Sequence, residues 1–383
     1  MIIHPLLTDA HNALRQRIRE FAEKEIRPLA AQLDETEEFS IELTAKMGDA
    51  GLFGIQVPRE LGGQGLDTLS YIIMVEELAR VDSSQAATIA AINSLAIAPL
   101  MKYGTPEQIK KYVPQLCTGR MTWAFGLTEE HAGSDAMGSQ TTARLEDGYW
   151  IINGEKRHIT NSTSEISGGV IVQAVTGDVN GRKKLSAIIV EKDTPGFTRE
   201  RSFGKLMWRA SDTGRLYFDN VKVPAENLLG EVGQGGRIML NALDGGRLSV
   251  AAIGLGLAQG AFEAAISHSK IRVQFGQPIH KFQAVSFKLA DMDMKIELAR
   301  NTLYNACWKK DNNIQFAREA AISKLYTSEI AREIADESLQ IHGAAGVFKP
   351  HEVERFYRDQ RLLQIGEGTS EILRMIIARY NGV

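Results

Sequence analysis

Between Asp82 and Lys102 the chain runs through 19 residues, SSQAATIAAINSLAIAPLM, without a charge. Nearly all are small or apolar. A helix of that kind has no face for water and must be buried on most sides. Enclosing it takes a large body. The chain is 383 residues long, which fits two or three domains. With 44% hydrophobic and 24% charged residues, it has the balance of a globular protein with a large core. No apolar run reaches the length of a bilayer span, so none is expected.

The neighbouring segments read as helices. From Thr8, the residues Leu14, Ile18, Phe21 and Ile26 recur at near-helical spacing, and Pro28 is expected to end that helix. Thr68 to Arg80 is a second helical run, and Pro106 opens a third. The middle of the chain changes period. GYWIINGEKRHIT, GGVIVQAVT, LSAIIVEKD and GRLYFDNVKV are β-branched and aromatic runs bounded by Gly, Asn, Asp or Pro. No amphipathic helices separate them, which favours an antiparallel sheet or small barrel over a doubly wound sheet. After Pro224 helical spacing returns over residues 247–272, 282–309 and 316–341. The expected fold is α+β, mainly α. It comprises an N-terminal helical domain over 1–120, a middle antiparallel β-sheet or barrel domain over 121–228, and a C-terminal helical bundle over 229–383.

The formal net charge is -3, which argues against a general nucleic-acid binder. Cys117 and Cys307 form no CxxC pattern and the histidines no HExxH spacing, so neither a disulfide scaffold nor a metal site is expected. The N-terminus has no charged region followed by an apolar one, so no secretory signal is expected. An intracellular setting follows: the cytoplasm for a prokaryotic chain, the mitochondrial matrix for a processed eukaryotic one.

Several short motifs carry polar or flexible residues. GQGG at 233–236 and HGAAG at 342–346 follow no predicted strand, which removes a dinucleotide-fold reading. GAAG alone reads first as a helix cap, and its small residues also permit close approach to a flat group. LTEEHAGSD at 127–135 reads as a polar loop. In QIGEGTSEI at 364–372, two glutamates flank a helix start, and acidic residues there complement the helix dipole.

Taken in order, these pieces resemble the acyl-CoA dehydrogenase family, and most closely its short-chain and short-branched-chain members. LTEEHAGSD is similar to the family's LTEPxAGSD, RVQFGQPIHKFQ to RxQFG…FQ, QIHGAAG to QxxGGxG, and RFYRDQRLLQIGEGTSEI to RxxRDxxxxxIxEGTxEI. YGTPEQIKKYVPQL resembles the segment before the family's β domain. The resemblance implies a non-covalent FAD. Phe125, Leu127, Thr128 and Ser134, with His158, Ile159 and Thr160, would line it. Arg272 would meet its diphosphate with Phe275 and Gln283 beside it. Gln340, Gly343, Ala344 and Gly346 would reach its ADP half across a subunit boundary. Thr369 would touch FAD, while Ser134, Asp244, Arg247 and Gly368 would hold the acyl-CoA. A homotetramer, a dimer of dimers, is implied.

The implied activity is α,β-dehydrogenation of an acyl-CoA to the 2-enoyl-CoA. Glu367 would take the α-proton and flavin N5 the β-hydride, with electrons passed to an electron-transferring flavoprotein. The alternative on this scaffold is an acyl-CoA oxidase. One branch of the family keeps its base just before the arginine matching Arg247. Here that position is Gly246, which leaves Glu367. No cation lies between Arg80 and Lys102, so a dicarboxylic acyl chain is disfavoured and a neutral pocket is expected, with Ala90, Ala91 and Ser94 admitting a short, branched or cyclic acyl group. The chain departs from the family pattern at several points. His158 replaces an aromatic residue and is expected to be a satisfied structural histidine. Ala344 replaces a glycine, Glu130-His131 replaces Pro-Gly, and Met207 stands where glycine is common. Glu371 is expected to serve the helix dipole.

Overall fold

The structure is a computed structural model that describes residues 4–349 and 351–383. Helix α1 (Asp9–Phe21) opens on Thr8, whose hydroxyl accepts from the His11 amide. It does not end at Pro28. A π-helical turn, Ala22–Ile26, carries it into α2 (Arg27–Thr36), where the proline sits in the first turn. There the missing N–H and the ring are tolerated. After α3 (Ile41–Asp49) and α4 (Thr68–Ala79), the charge-free run repeats the device. α5 (Ser83–Ala91) passes through a π turn, Ile92–Ile97, into α6 (Ala98–Tyr103), with Pro99 in its first turn. α7 (Pro106–Leu116) leads to the strands.

Eight strands form one sheet: β1 (Thr122–Gly126), β2 (Thr142–Glu146), β3 (Tyr149–Thr160), β4 (Ser167–Val179), β5 (Arg182–Glu191), β6 (Phe197–Arg201), β7 (Thr213–Pro224) and β8 (Leu228–Leu229). Their order is β6-β7-β3-β2-β4-β5-β8, with β1 added beside β4. Most neighbours are antiparallel, but β1 and β2 each join β4 in parallel, so the sheet is mixed. The apolar runs of β4 and β5 are explained by their two faces. Val170, Val172, Ile188 and Val190 point into a core inside the β domain with Trp150, Phe197 and Phe218. Ile171, Ala187 and Ile189 point the other way, into the helical core. Strands buried on both faces read as continuous hydrophobic runs. The short strand β8 precedes the GQGG segment, contrary to the sequence reading. Its Gly235 abuts the backbone of Ser186, where a Cβ would lie 2.3 Å from the carbonyl carbon. That glycine serves helix–sheet packing.

The C-terminal helices are α8 (Gly235–Ile271), α9 (Gln283–Asp311), α10 (Ala317–His342), α11 (Glu352–Asp359) and α12 (Ser370–Tyr380). A hairpin of β9 (Val273–Gln274) and β10 (Gln277–Pro278) joins α8 to α9. N- and C-terminal helices share one core. Against expectation, Ser83–Tyr103 and α8 are long and apolar enough to cross a membrane by composition. Most of each is buried within the fold, as in a core helix.

A buried ion network ties α1, α4 and α9 together. Glu76 accepts from Arg15 and Arg300, each at 3.1 Å, and from the Tyr304 hydroxyl at 2.6 Å. Burial alone would raise the Glu76 carboxyl, but the two arginines hold it at about 2. Glu76→Ala leaves both guanidinium groups buried without this partner. Such a loss costs roughly 3–5 kcal/mol, to be read as a lower urea midpoint. An unchanged midpoint would remove the network from the account of stability.

Candidate active site

The turn before α12 is built from α10. Lys324 is fully buried and its ammonium donates to the Gly368 carbonyl at 2.6 Å. Ser328 donates to the Leu363 carbonyl at 2.8 Å, and Ser370 donates to Glu329 at 2.7 Å. The helix cap is Thr369, which accepts from the Ile372 amide at 3.2 Å. Glu371 lies exposed in the first turn and does not cap it. Glu367 sits two residues before the cap, at φ 52°, followed by Gly368 at φ 99°. A left-handed backbone is unfavourable for a residue with a Cβ and persists where its surroundings impose it.

The Glu367 side chain turns inward against α8. A Cβ built on Gly246 would lie 2.2 Å from Glu367 Oε2. Gly246 is therefore not merely unable to act as a base; it vacates the space the carboxylate fills. Oε2 is sealed from solvent and has no hydrogen-bond partner among the described residues. Burial pushes the carboxyl up to about 7, against the pull of Lys324 and Arg247. Arg247 is buried and donates to Asp244 at 2.5 Å.

The residues that the resemblance assigns to the flavin end lie on adjacent strand ends. The Arg157 amide donates to the Thr128 carbonyl at 2.9 Å, joining the end of β3 to the loop after β1. Beneath that loop, fully buried Lys156 donates to the Leu127 carbonyl at 3.1 Å and to Glu129 at 2.6 Å. Glu129 also accepts from the amides of Gln140 and Thr141. Above the anchor, Phe125, Thr128 and Thr160 are half-buried, while His158 and Ser134 are exposed. This shelf of open faces and hydroxyls fits a flat, polar-edged ring. Leu127 and Ile159 are buried in the cores, leaving only their backbone for such a ring. His158 is not the satisfied histidine expected. It is exposed at φ 57°, with no hydrogen-bond partner among the described residues.

A second group lies elsewhere. Arg272 and Gln283 flank the hairpin whose tip carries Phe275, 94% exposed and at φ 49°. Gln340 and Gly343 to Gly346 end α10 nearby, where His342 stacks on His268 of α8 at 4.3 Å between ring centroids. At Gly343, φ 60°, an added Cβ would meet nothing within 4 Å; at Gly346 it would lie 2.8 Å from the His342 Cβ. Ala344 is exposed beside them. Along α8 these residues stand 25 positions from Arg247, roughly 37 Å at the rise of a helix. The hairpin group therefore lies far along α8 from Arg247 and the Glu367 turn.

A cavity of about 160 Å³ is bounded by Tyr71, Ser94 and Gly245, the residue before Gly246. A cavity of about 150 Å³ holds a benzene-sized molecule. Its wall is not neutral, contrary to expectation, because Lys102 and Lys310 also line it. One cation lies just past the charge-free run and the other comes from α9, where no local pattern marks it. Lys324, Lys156 and Glu129 also escaped the sequence reading; Lys324 alone carries a local signal, a charge set among small and apolar neighbours, while Lys156 and Glu129 stand beside other charges.

Residues 8–120, 124–221 and 233–381 match the N-terminal, middle and C-terminal domains of acyl-CoA dehydrogenase. A probable acyl-CoA dehydrogenase of Bacillus subtilis is 46% identical over 97% of this chain and 98% of its own length. The solved butyryl-CoA dehydrogenase of Megasphaera elsdenii is 40% identical, with a TM-score of 0.95 and full coverage of both chains. A structure described as an electron-transferring flavoprotein study of Acidaminococcus fermentans also gives a TM-score of 0.95 at 40% identity, covering 100% of this chain and 99% of its own.

Proposed function

Because this chain belongs to the acyl-CoA dehydrogenase family, we propose that it dehydrogenates a short acyl-CoA, with Glu367 as the base. The carrying observation is the Glu367 carboxylate, sealed against Gly246 and raised to about 7. A thioester α-proton is a weak acid, and a base poised near the working pH removes it most effectively. As the proton leaves, negative charge grows on the thioester oxygen. The backbone N–H groups of Glu367 and Gly368 have no acceptor among the described residues, which leaves them free to donate there. FAD is the cofactor of this enzyme and, when bound, supplies the acceptor for the β-hydride. Arg272 offers a fixed positive charge to its diphosphate.

The small cavity supports a short acyl chain, and Ala98 and Ser94 leave width for a branch or ring. The exposed hairpin and the exposed α9 residues Phe287, Met294 and Leu298 support assembly into a homotetramer. So does the separation of the two groups of cofactor residues, since a second copy would bring its Arg272 and Gly343 to the flavin of the first. Electron transfer to an electron-transferring flavoprotein is the reading that the Acidaminococcus fermentans relative supports.

Anaerobic butyryl-CoA should bleach the flavin, and reoxidation by air should be slow. Rapid peroxide formation from the reduced, product-bound enzyme would favour an oxidase instead. Flavin reduction should rise about tenfold per pH unit below about 7 and level off above, since only the ionised carboxylate takes the proton. Lys324→Met removes a charge that favours that ionised form, so the inflection should move to higher pH. A downward move would contradict the assigned sign.

A further inference from the structure

Three histidines meet where α8 and α10 end and α11 begins. They stand around a second cavity of about 280 Å³, lined by His268, Ile271, His342, His351 and Glu352. Ligand pockets begin at roughly 300 Å³. The cavity lies between the two segments assigned to the ADP half of FAD, since Ile271 precedes Arg272 and His342 precedes Gly343. His268 stacks on His342 at 4.3 Å between ring centroids, and His351 lies 6.2 Å from His342. The Ser338 carbonyl accepts the Nδ1 proton of His342 at 2.8 Å and so fixes the ring that His268 rests on. His268 is also a neighbour of Arg272. The Arg272 amide donates to the His268 carbonyl at 2.9 Å, one helical turn, which sets the two side chains about 5–6 Å apart at Cβ.

The charged groups that face this corner leave it positive. Glu352 is paired with Arg27 of α2, and Lys349, just before α11, is paired with Glu35. From the hairpin side, His280 donates its Nδ1 proton to the Ser269 carbonyl at 3.2 Å. Arg272 makes no ion pair among the described residues. Burial holds His268 below the usual histidine range, and His342, Arg272 and His351 add to the effect. Burial lowers His342 too, with His351 adding to it against the Ser338 bond and Glu352. Arg272 thus opposes a proton on His268 in particular. A diphosphate on Arg272 reverses that influence, because its negative charge offsets the guanidinium and favours a charged imidazole beside it.

We propose that His268 takes up a proton as FAD binds and becomes, with Arg272, a seat for the cofactor's diphosphate, so that FAD is held more tightly in acid than in alkali. The proposal rests on the reading that Arg272 meets that diphosphate, and it adds a residue that this reading leaves out. Uptake of one proton changes affinity by at most about tenfold per pH unit. The empty corner behaves in the opposite sense. Histidines held below their usual range in the fold lose it stability as pH falls, because the unfolded chain binds more protons. Acid loosening alone would therefore release FAD more readily at pH 6, the reverse of the expected result.

The test follows the fluorescence of released FAD after dilution of the holoenzyme at pH 6, 7 and 8, while circular dichroism confirms that the chain stays folded. The dissociation constant should rise about three- to tenfold from pH 6 to pH 8. His268→Phe keeps a flat ring on His342 but takes no proton, and His268→Gln removes the ring as well. In both variants the pH dependence should shrink to within about twofold, because the linked proton is gone. Equal retention at all three pH values in the parent enzyme would overturn the proposal without any variant, and so would weaker retention at pH 6. Parent-like pH dependence in both variants would overturn it too, since the proton would then belong to another group. Arg272→Met tests the underlying reading and should weaken retention at every pH. If it does not, the placing of the diphosphate at Arg272 fails, and this proposal with it. If it does while the parent shows no pH dependence, that placing stands and the proton uptake alone fails.

Discussion

Glu367→Gln is expected to bind acyl-CoA and to lose flavin reduction by about a hundred- to ten-thousandfold, the range a positioned general base contributes. Glutamine keeps the length and shape that fit against Gly246, so the turn and the cavity should survive. It cannot accept the α-proton. Stability should move in the opposite direction. A carboxyl whose pKa rises from 4.5 unfolded to about 7 folded contributes fully below the lower value and loses that contribution as pH climbs through the higher one. At pH 8 the parent enzyme therefore carries a buried charge that the variant does not. The variant should be more stable there by about 1–3 kcal/mol, and the difference should vanish near pH 4.5. Stopped-flow bleaching and urea unfolding at two pH values read both arms. Flavin reduction within a few-fold of the parent rate would remove Glu367 from the role of base, whatever the stability did.

Much of this arrangement can be read along the chain, and the parts that cannot share a physical cause. The charge-free run reads correctly as a buried helix because burial follows from composition. It hides the π turns, because proline was expected to stop a helix and a preceding wide turn lets Pro28 and Pro99 stay within one. Antiparallel neighbours follow from the short, turn-bounded runs; the parallel pairing of β1 and β2 with β4 does not, since the side-chain period is the same in either direction. Around the base, Glu367 stands out through its local motif, but the groups that tune it come from elsewhere in the chain. Lys324 lies 43 positions away and Arg247 is 120 positions away on another helix. The lysines of the cavity are missed for the same reason. Lys310 belongs to the last turn of α9, and only the fold turns it toward Gly245.

Gly246→Ala should separate folding from chemistry. The added methyl would lie 2.2 Å from Glu367 Oε2, far inside contact distance, so something must move. What moves is the end of a flexible side chain and not backbone, because the obstructing atoms are those of the Glu367 carboxyl. Alanine is also favoured over glycine inside a helix by about 1 kcal/mol. Thermal stability should therefore stay close to the parent, while the carboxylate is pushed out of line with the substrate α-carbon. Misplacement by about 1 Å costs on the order of a hundredfold in rate. A displaced carboxylate also leaves the pocket that raises it, so the pH inflection of flavin reduction should fall below about 7 toward the usual carboxylate range. The three readouts discriminate between causes. A large drop in melting temperature would mean that the helix and not the carboxylate had given way. A hundredfold slower enzyme with an unmoved inflection would mean that the carboxyl keeps its burial and has lost only its aim. Parent-like kinetics would mean that the close packing of Gly246 on Glu367 is not what positions the base.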